Sequence, residues 1–495
     1  MSEAMRLGDL LDGCAEAGAL ADLRVRGLSL DSRAIVAGDL YIALRGSREH
    51  GIIYAASALA SGAVAVIAEA GPELARLDAD CADRVIQVDD LRAKLGGIAA
   101  RFHGDASRRL RVSGVTGTNG KTSTVQLLGQ ALDRLGRRTA TIGTLGAGFA
   151  GSLDAGERTT PDVISVQRLL ARFLAKGASD VAMEVSSHAL AQGRVDHVRF
   201  RLAVFTNLTR DHLDYHGSME AYAAAKQRLF EWPGLAAAVI NIDDAFGRRL
   251  ATSLPDAVAR LAFAIDNPHA DVRATDIQAH ALGLRFDLHT PWGEARIESP
   301  LLGRFNVSNL LAVAASLGAL GHDFAEIRSV LGTLEPVSGR MSRLGGDAGR
   351  PLVVVDYAHT PDALEQALAS VRAHCAGVLV CVFGCGGERD VGKRPQMAAI
   401  AERLADRVIV TDDNPRAEDG DAIVADIMQG FSEPAAIVVE RDRHRAIHRA
   451  IAEARADDIV LVAGKGHEPY QEIAGKRLPF DDRQVARQAL EARPC

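Results

Sequence analysis

Residues 110–126 read LRVSGVTGTNGKTSTVQ. An apolar run ends at Gly114, a loop of small residues follows, and Lys121-Thr122-Ser123 leads into an amphipathic helix predicted over 122–135. A strand, a glycine-rich loop, a Lys-Thr pair and a helix together make a phosphate cradle. Backbone N–H groups and the helix N-terminus hold phosphate oxygens, the Lys reaches the terminal phosphates, and the Thr hydroxyl can ligate Mg²⁺. Gly117, Thr118, Asn119, Gly120, Lys121, Thr122 and Ser123 are therefore the candidate nucleotide-binding residues. The usual pattern carries a Gly five places before the second loop Gly, and Val115 stands there. A plain glycine turn between strand and helix is the alternative.

The rest of the composition bounds what such a loop can belong to. A chain of 495 residues is long enough for about three domains. Hydrophobic content of 47% and charged content of 24% are those of an ordinary soluble protein. A formal charge of −7 with no long basic block argues against nucleic acid as the main partner. The opening MSEAMRLGDLLDG is charged within its first turns, so no signal peptide is expected, and the Ala-rich stretch 55–70 is too interrupted to span a membrane. Six Cys at 14, 81, 375, 381, 385 and 495 form neither a disulfide framework nor a zinc pattern. Reduced thiols in a cytoplasmic protein are the expectation.

Hydrophobic patterning predicts an α/β chain of three domains. Residues 1–107 read as a small N-terminal α/β domain, with strands near 25–30, 40–44, 63–68 and 84–88 and helices near 54–61 and 91–102. The polar run HGDASRR at 103–109 marks a break. Residues 108–335 read as a central P-loop ATPase-type domain, with strands near 180–185, 202–206 and 238–242 in a mostly parallel sheet. From 260 to 299 the alternation turns period-two and antiparallel, before a helix that opens near Asn306. Residues 336–495 read as a Rossmann-like doubly wound sheet, with strands near 351–356, 378–383, 407–411, 436–440 and 458–462.

Ligands of such sheets bind at the carboxyl ends of the strands. In the central domain those ends carry Glu184 with Ser186-Ser187-His188, the run NLTRDHLD at 207–214, and Asn241-Ile242-Asp243. Their convergence on the edge that bears the phosphate loop points to a metal–nucleotide site. Lys226 falls on the apolar stripe of the helix near 219–230, where a charge is costly to bury. It is either a snorkelling Lys or a desolvated amine of lowered pKa, which is nucleophilic and open to modification. Asn306 and Asn309, three apart, share a helix face and suit base contact or capping equally. The third domain's strand ends carry DYAHTPDAL (356–364), FGCGGERDVGKRP (383–395), TDDNPR (411–416) and AGKGHE (463–468). A dinucleotide fingerprint fails there because Arg389 holds the third Gly position. Arg389 and Arg416, from two strand ends, suit planar carboxylates.

Taken together, TGTNGKTS, MEVSSH, NLTRDHLDYHG, GRFNVSN, SGRM, DYAHTPDAL and AGKGHE occur in the order that resembles the Mur ligases of peptidoglycan synthesis. The resemblance covers essentially the whole chain, and DDNPR at 412–416 is similar to the motif of the meso-diaminopimelate-adding members. It implies a cytoplasmic enzyme of cell-wall biogenesis that acts on small molecules and has no membrane span. That enzyme would add meso-2,6-diaminopimelate to UDP-N-acetylmuramoyl-L-alanyl-D-glutamate with ATP and Mg²⁺, through an acyl phosphate. A monomer is the expectation. Implied metal ligands are Thr122, Glu184, His212 and Lys226, the last as a carbamate (N6-carboxylysine), and Lys121 joins Glu184, His212 and Lys226 as catalytic. Asn306, Arg340, Asp356 and His359 match positions that meet ATP. Leu30, Ser32, Ser47, Arg48 and Glu49 match the UDP end. Arg158, Thr159, Thr160, Ser186, Gln192 and Arg194 match contacts to the muramoyl dipeptide, with Arg158 standing where many members carry Asn. Arg389, Asp413, Asn414, Pro415, Arg416, Gly464 and Glu468 match the diaminopimelate site.

Diaminopimelate differs from lysine by a carboxylate at its far carbon, which Arg416 would pair while Glu468 takes the ammonium. Lysine would leave Arg416 unpaired, and sites built on such contacts reject analogues that lack the group. The alternatives are a lysine-adding or folate polyglutamate ligase, a P-loop motor or transporter ATPase, and a non-catalytic nucleotide-binding module. A third domain with its own ligand edge speaks against the ATPase. Lys121, Glu184, His212 and Lys226 together speak against the inert module.

Overall fold

Five parallel strands place the phosphate loop at the middle of a sheet edge. The computed structural model describes residues 4–46, 49–156, 158–280, 283–347 and 349–493. The chain divides into two compact units, Met1–Leu261 and Ala262–Cys495.

In the first unit, Gly27–Ser29, Asp39–Ala43, Ala65–Ala68 and Val85–Gln87 form a four-stranded sheet, all parallel and in sequence order. Such a sheet needs cover on both faces, and its strands read as apolar runs for that reason. Leu40, Ile42, Ala65 and Ile67 pack on one face against Leu91, Leu95, Ile98 and Phe102 of the helix Leu91–Phe102. Tyr41, Ala43, Val66 and Ala68 pack on the other against Ala55 and Ala58.

The larger sheet of this unit runs in the order Ser152–Asp154, Gly146–Phe149, Thr139–Gly143, Asp180–Glu184, Arg111–Thr116, Phe200–Phe205, Ala237–Asn241. Strands from Thr139–Gly143 to Ala237–Asn241 are parallel, and the two at the far edge are antiparallel. The antiparallel edge hairpin departs from the sequence expectation. Its glycines are needed for close approach: a Cβ on Gly148 would stand 2.1 Å from the Ser152 carbonyl oxygen.

In the second unit, Val272–His280, Gly283–Thr290 and Gly293–Ser299 form an antiparallel meander, as the period-two pattern predicts, but Phe263 and Ala264, within the same predicted stretch, pair parallel with Val272 and Arg273. The helix Arg304–Ala319 is buried nearly all round, which suits its lack of a polar face. A six-stranded sheet follows, in the order Ser342–Gly345, Leu352–Asp356, Ile459–Ala463, Leu379–Phe383, Arg407–Val410, Val438–Val439. Only Ser342–Gly345 is antiparallel. Helices Pro361–Arg372, Lys393–Leu404 and Gly420–Met428 cover one face, and Arg443–Glu453 and Asp482–Glu491 the other. A hairpin, Tyr470–Ile473 with Lys476–Pro479, is not legible in the sequence pattern.

Beneath the carboxyl end of Ile459–Ala463 lies a fully buried ion pair. Arg443 donates from Nε and Nη2 to the two Asp482 oxygens at 2.8 and 2.7 Å, and from Nη2 to the Ala463 carbonyl at 3.0 Å. Removing one partner leaves an uncompensated buried charge. Asp482→Asn is therefore expected to cost about 3–5 kcal/mol, read as a lowered urea midpoint. An unchanged midpoint would contradict this.

Candidate functional site

The loop Gly117–Gly120 closes between the strand Arg111–Thr116 and the helix Lys121–Arg134. Gly117 has φ +151°, and a Cβ there would lie 1.9 Å from Thr206 Oγ1, so only glycine fits. Neighbouring strand ends shape the loop. Thr206 Oγ1 donates to the Asn119 carbonyl at 2.6 Å, and Asn119 N–H donates to Asn207 Oδ1 at 2.9 Å. Asn241 Nδ2 donates to the Thr206 carbonyl at 2.7 Å. Thr118 Oγ1 lies 3.1 Å from the Tyr222 hydroxyl and accepts from Thr209 N–H at 3.0 Å. Lys121 folds back, donating from Nζ to the Gly117 and Thr118 carbonyls at 2.9 and 2.7 Å. Ser123 is buried in the first helical turn.

Glu184, 1% exposed, ends the neighbouring strand. Thr122 Oγ1 donates to its Oε2 at 3.0 Å, and Thr144 N–H donates to its Oε1 at 2.7 Å. The hydroxyl of Thr144 also donates to Oε2 at 3.2 Å. A buried hydroxyl and carboxylate at a helix N-terminus are the hard oxygens that Mg²⁺ prefers. Among the described residues no three His, Cys, Asp or Glu side chains gather into a metal cage. That is compatible with Mg²⁺, which takes one or two protein oxygens and completes its shell with phosphates and water.

Lys226 lies at the end of the helix Met219–Gln227, which gives way to a tighter turn, Arg228–Glu231, sooner than the apolar stripe suggests. It is 1% exposed, so the snorkelling alternative does not hold. Its Nζ donates to the Gly117 carbonyl at 2.7 Å, the same oxygen that receives Lys121, and stands 4.3 Å over the Tyr222 ring. Burial, then the nearby Lys121 ammonium, holds the Lys226 pKa well below its ordinary 10.5, with Asp211 opposing. The folded chain thus holds Lys226 with fewer protons than the unfolded chain does, from that lowered value up to 10.5. Stability must rise with pH across that window. In metal-free buffer, Lys226→Met is expected to melt above the wild type at neutral pH, with the gap closing towards pH 10.5. A gap that widens with pH would contradict this.

His212 takes a left-handed conformation, φ +53°, ahead of the short helix Leu213–His216, and is exposed. Its ring lies 4.8 Å from that of His188 and 6.1 Å from that of Tyr222, the ring over which Lys226 also stands. His216 Nε2 meets Ser187 Oγ at 3.0 Å. Burial lowers the pKa of both His188 and His216, with His212 adding to each shift.

The dipeptide candidates gather beside Glu184. Thr160 Oγ1 donates to the Glu184 carbonyl at 2.8 Å, and Ser186 N–H donates to Thr160 Oγ1 at 3.2 Å. Arg194 donates to the Thr160 carbonyl at 3.0 Å and from Nε to Gln192 Oε1 at 2.9 Å. Thr159 Oγ1 lies 3.1 Å from Thr144 Oγ1, and Arg158 is exposed. Burial, then Arg158, lowers the Arg194 pKa, with Tyr215 and Asp162 opposing. In the small sheet's edge, Leu30 is half-buried and Ser32 opens the turn Ser32–Ala34, capped by Asp31. Glu49 accepts from the Tyr54 hydroxyl. Ser47 and Arg48 lie outside the described residues.

In the second unit, Asn306 Nδ2 donates to the Leu302 carbonyl at 2.8 Å, and Asn309 Nδ2 donates to Asn306 Oδ1 at 2.9 Å. Arg340 lies 5.0 Å over the Tyr357 ring, and its buried Nε has no hydrogen-bond partner among the described residues. Asp356 Oδ2 accepts from Met341 N–H at 2.7 Å, while burial pushes its pKa up against the pull of Arg340. His359 Nδ1 meets the Tyr357 carbonyl at 2.8 Å.

The remaining candidates line the carboxyl edge of the six-stranded sheet. Arg416, φ +57°, donates from Nη1 to the Gly387 carbonyl at 2.7 Å and lies 4.0 Å from Glu472 Oε2. Asn414 Nδ2 donates to Glu468 Oε2 at 2.9 Å. Pro415 and Gly464 are buried, the latter against Asp413, whose buried Oδ2 has no hydrogen-bond partner among the described residues. Burial raises the Asp413 pKa against Arg443 and Lys465. Arg389 is exposed beside Gly386. Thr144, Tyr222 and Lys465 join these groups without having stood out in the sequence. Only Lys465 carried a signal, a cation between two glycines in AGKGHE.

Comparison with known proteins matches this geometry to one family over most of the chain. Residues 24–103 match the Mur ligase family catalytic domain, 115–317 the Mur ligase middle domain, and 339–466 the Mur ligase glutamate ligase domain. The UDP-N-acetylmuramoyl-L-alanyl-D-glutamate–2,6-diaminopimelate ligase of Xanthomonas campestris pv. campestris is 58% identical, covering 99% of this chain and 98% of its own. A solved structure of a ligase of that name aligns at 38% identity with a TM-score of 0.75, covering 99% of both chains. The MurF ligase of Thermotoga maritima, solved with ADP, shares the fold at a TM-score of 0.64 and 20% identity, over 94% of this chain and 98% of its own. The chain belongs to the Mur ligase family of ATP-dependent, amide-forming ligases.

Proposed function

We propose that this chain joins meso-2,6-diaminopimelate to UDP-N-acetylmuramoyl-L-alanyl-D-glutamate, using ATP, in cytoplasmic peptidoglycan precursor synthesis. The observation that carries this reading is the pocket at the carboxyl edge of the six-stranded sheet. There the Arg416 guanidinium and the Glu468 carboxylate, linked through the Asn414 loop, match an amino-acid end with both a carboxylate and an ammonium. The names of the similar ligases support it. Residues 1–107 would hold the UDP end, 108–335 ATP and 336–495 the amino acid. The enzyme would act as a monomer on small molecules.

A carboxylate oxygen is a poor leaving group at neutral pH, so it must be activated. The γ-phosphoryl group passes from ATP to a carboxylate oxygen of the dipeptide, and ADP leaves. The diaminopimelate amine then attacks the carbonyl carbon, and phosphate departs with the former carboxylate oxygen. Lys121, resting on its own loop carbonyls, is the cation that meets the terminal phosphates. Arg194, Thr160 and Ser186 hold the dipeptide beside Glu184. Mg²⁺, held by Thr122 and Glu184 and at a second position by His212 and carbamylated Lys226, would neutralise phosphate charge. Lys226 suits that modification because its lowered pKa favours the neutral amine, which adds CO₂ and releases a proton.

Phosphate release tests the assignment. With ATP and the UDP-muramoyl dipeptide, release is expected to need diaminopimelate and to be far slower with lysine. Equal rates with lysine, or full release with no amino acid, would overturn it.

A further inference from the structure

Lys465 is fully buried within the amino-acid pocket, and no step of the ligation above gives it a task. Its Nζ donates to Asn414 Oδ1 at 3.0 Å and to Glu468 Oε2 at 3.1 Å. Asn414 Oδ1 also accepts from Glu472 N–H at 2.9 Å, and Asn414 Nδ2 donates to Glu468 Oε2 at 2.9 Å. An ammonium only donates, so the amide oxygen of Asn414 must face Lys465 and its NH₂ must face Glu468. The Glu472 N–H and the Glu468 carboxylate demand the same orientation, so three partners hold the amide one way. Both bonds fall on Glu468 Oε2, and Oε1 takes neither.

We propose that Lys465 is a positioning residue for amino-acid selection: it engages Glu468 Oε2, leaves Glu468 Oε1 to the substrate ammonium, and balances the pocket's carboxylates. The proposal rests on the diaminopimelate reading. Arg416 and Lys465 stand there against Glu468 and Glu472, with Asp413 beside Gly464, Arg477 3.8 Å from Glu472 Oε2 and the buried Arg443–Asp482 pair nearby. Diaminopimelate carries two ammoniums and two carboxylates, so its net charge is zero. Lysine carries one positive charge in excess. Deleting a buried cation makes the pocket more negative, which penalises diaminopimelate relative to lysine. Such selectivity through a charge that never touches the substrate differs from direct pairing by Arg416.

The test uses the full chain as wild type, Lys465→Met and Lys465→Gln, with phosphate release measured against diaminopimelate, lysine and ATP. Both variants are expected to raise the KM for diaminopimelate about tenfold, with the KM for ATP unchanged. The diaminopimelate-to-lysine ratio of kcat/KM is expected to fall about tenfold. Lys465→Gln, which keeps N–H donors without the charge, is expected to lose less KM than Lys465→Met but a similar share of the ratio. An unchanged ratio in a folded variant overturns the proposal. So does a joint rise of both KM values with a lowered Tm, or failure of both variants to fold, since a structural role then suffices. A wild type that releases no diaminopimelate-dependent phosphate overturns the parent assignment instead, and this proposal with it.

Discussion

Arg416→Ala is expected to lower kcat/KM for diaminopimelate by roughly 10²–10⁴-fold, with ATP affinity nearly intact. The guanidinium is a planar fork suited to a carboxylate, and its aim is set by the backbone around it. Arg416 N–H donates to the Glu472 carbonyl at 2.9 Å, and Nη1 donates to the Gly387 carbonyl at 2.7 Å, so the backbone and the guanidinium are each anchored. Glu472 lies 4.0 Å away and cannot fully satisfy the charge. A substrate carboxylate would complete it. Removing the guanidinium leaves that carboxylate desolvated and unpaired, which is costlier than losing the bond alone. Steady-state kinetics with each substrate varied checks this. Equal losses for ATP and diaminopimelate would contradict it.

Lys226→Ala is expected to be essentially inactive, down by about 10³-fold or more, and partly rescued by added short carboxylates. Lys226 and Lys121 donate to one oxygen, the Gly117 carbonyl, at 2.7 and 2.9 Å. Two ammoniums on one carbonyl would repel each other, the more so when buried, and that is part of what drives the Lys226 amine towards its neutral form. Converting the neutral amine to a carbamate would place an anion beside the Lys121 ammonium. Alanine removes the anion and leaves a cavity that a small carboxylate can enter. Full activity without rescue would refute the carbamate role.

How legible the chain was depended on what each residue type signals. The helix at 91–102 was readable to its ends because Leu91, Leu95, Ile98 and Phe102 fall on one face. The phosphate loop and the parallel strands around it were readable from apolar runs that end in polar clusters. The hairpin at Gly146–Asp154 was not, because glycines placed for close strand approach look like loop. Lys226 stood out as a charge on an apolar stripe, but whether it snorkels or is buried is decided by tertiary packing. Lys465 was hidden for the opposite reason. It sits in a glycine turn with no periodic face, so its burial follows from loops that meet only in the folded sheet edge.

Following an oxygen atom tests the acyl phosphate, and with it the ligase mechanism, most directly. Dipeptide substrate labelled with ¹⁸O in its carboxylate would be turned over with ATP and diaminopimelate, and the released phosphate weighed by mass spectrometry. An acyl phosphate requires that one ¹⁸O pass from the carboxylate into each phosphate, in step with amide formation. Unlabelled phosphate would mean that water, not the carboxylate, accepts the phosphoryl group, and would contradict activation of the dipeptide by ATP.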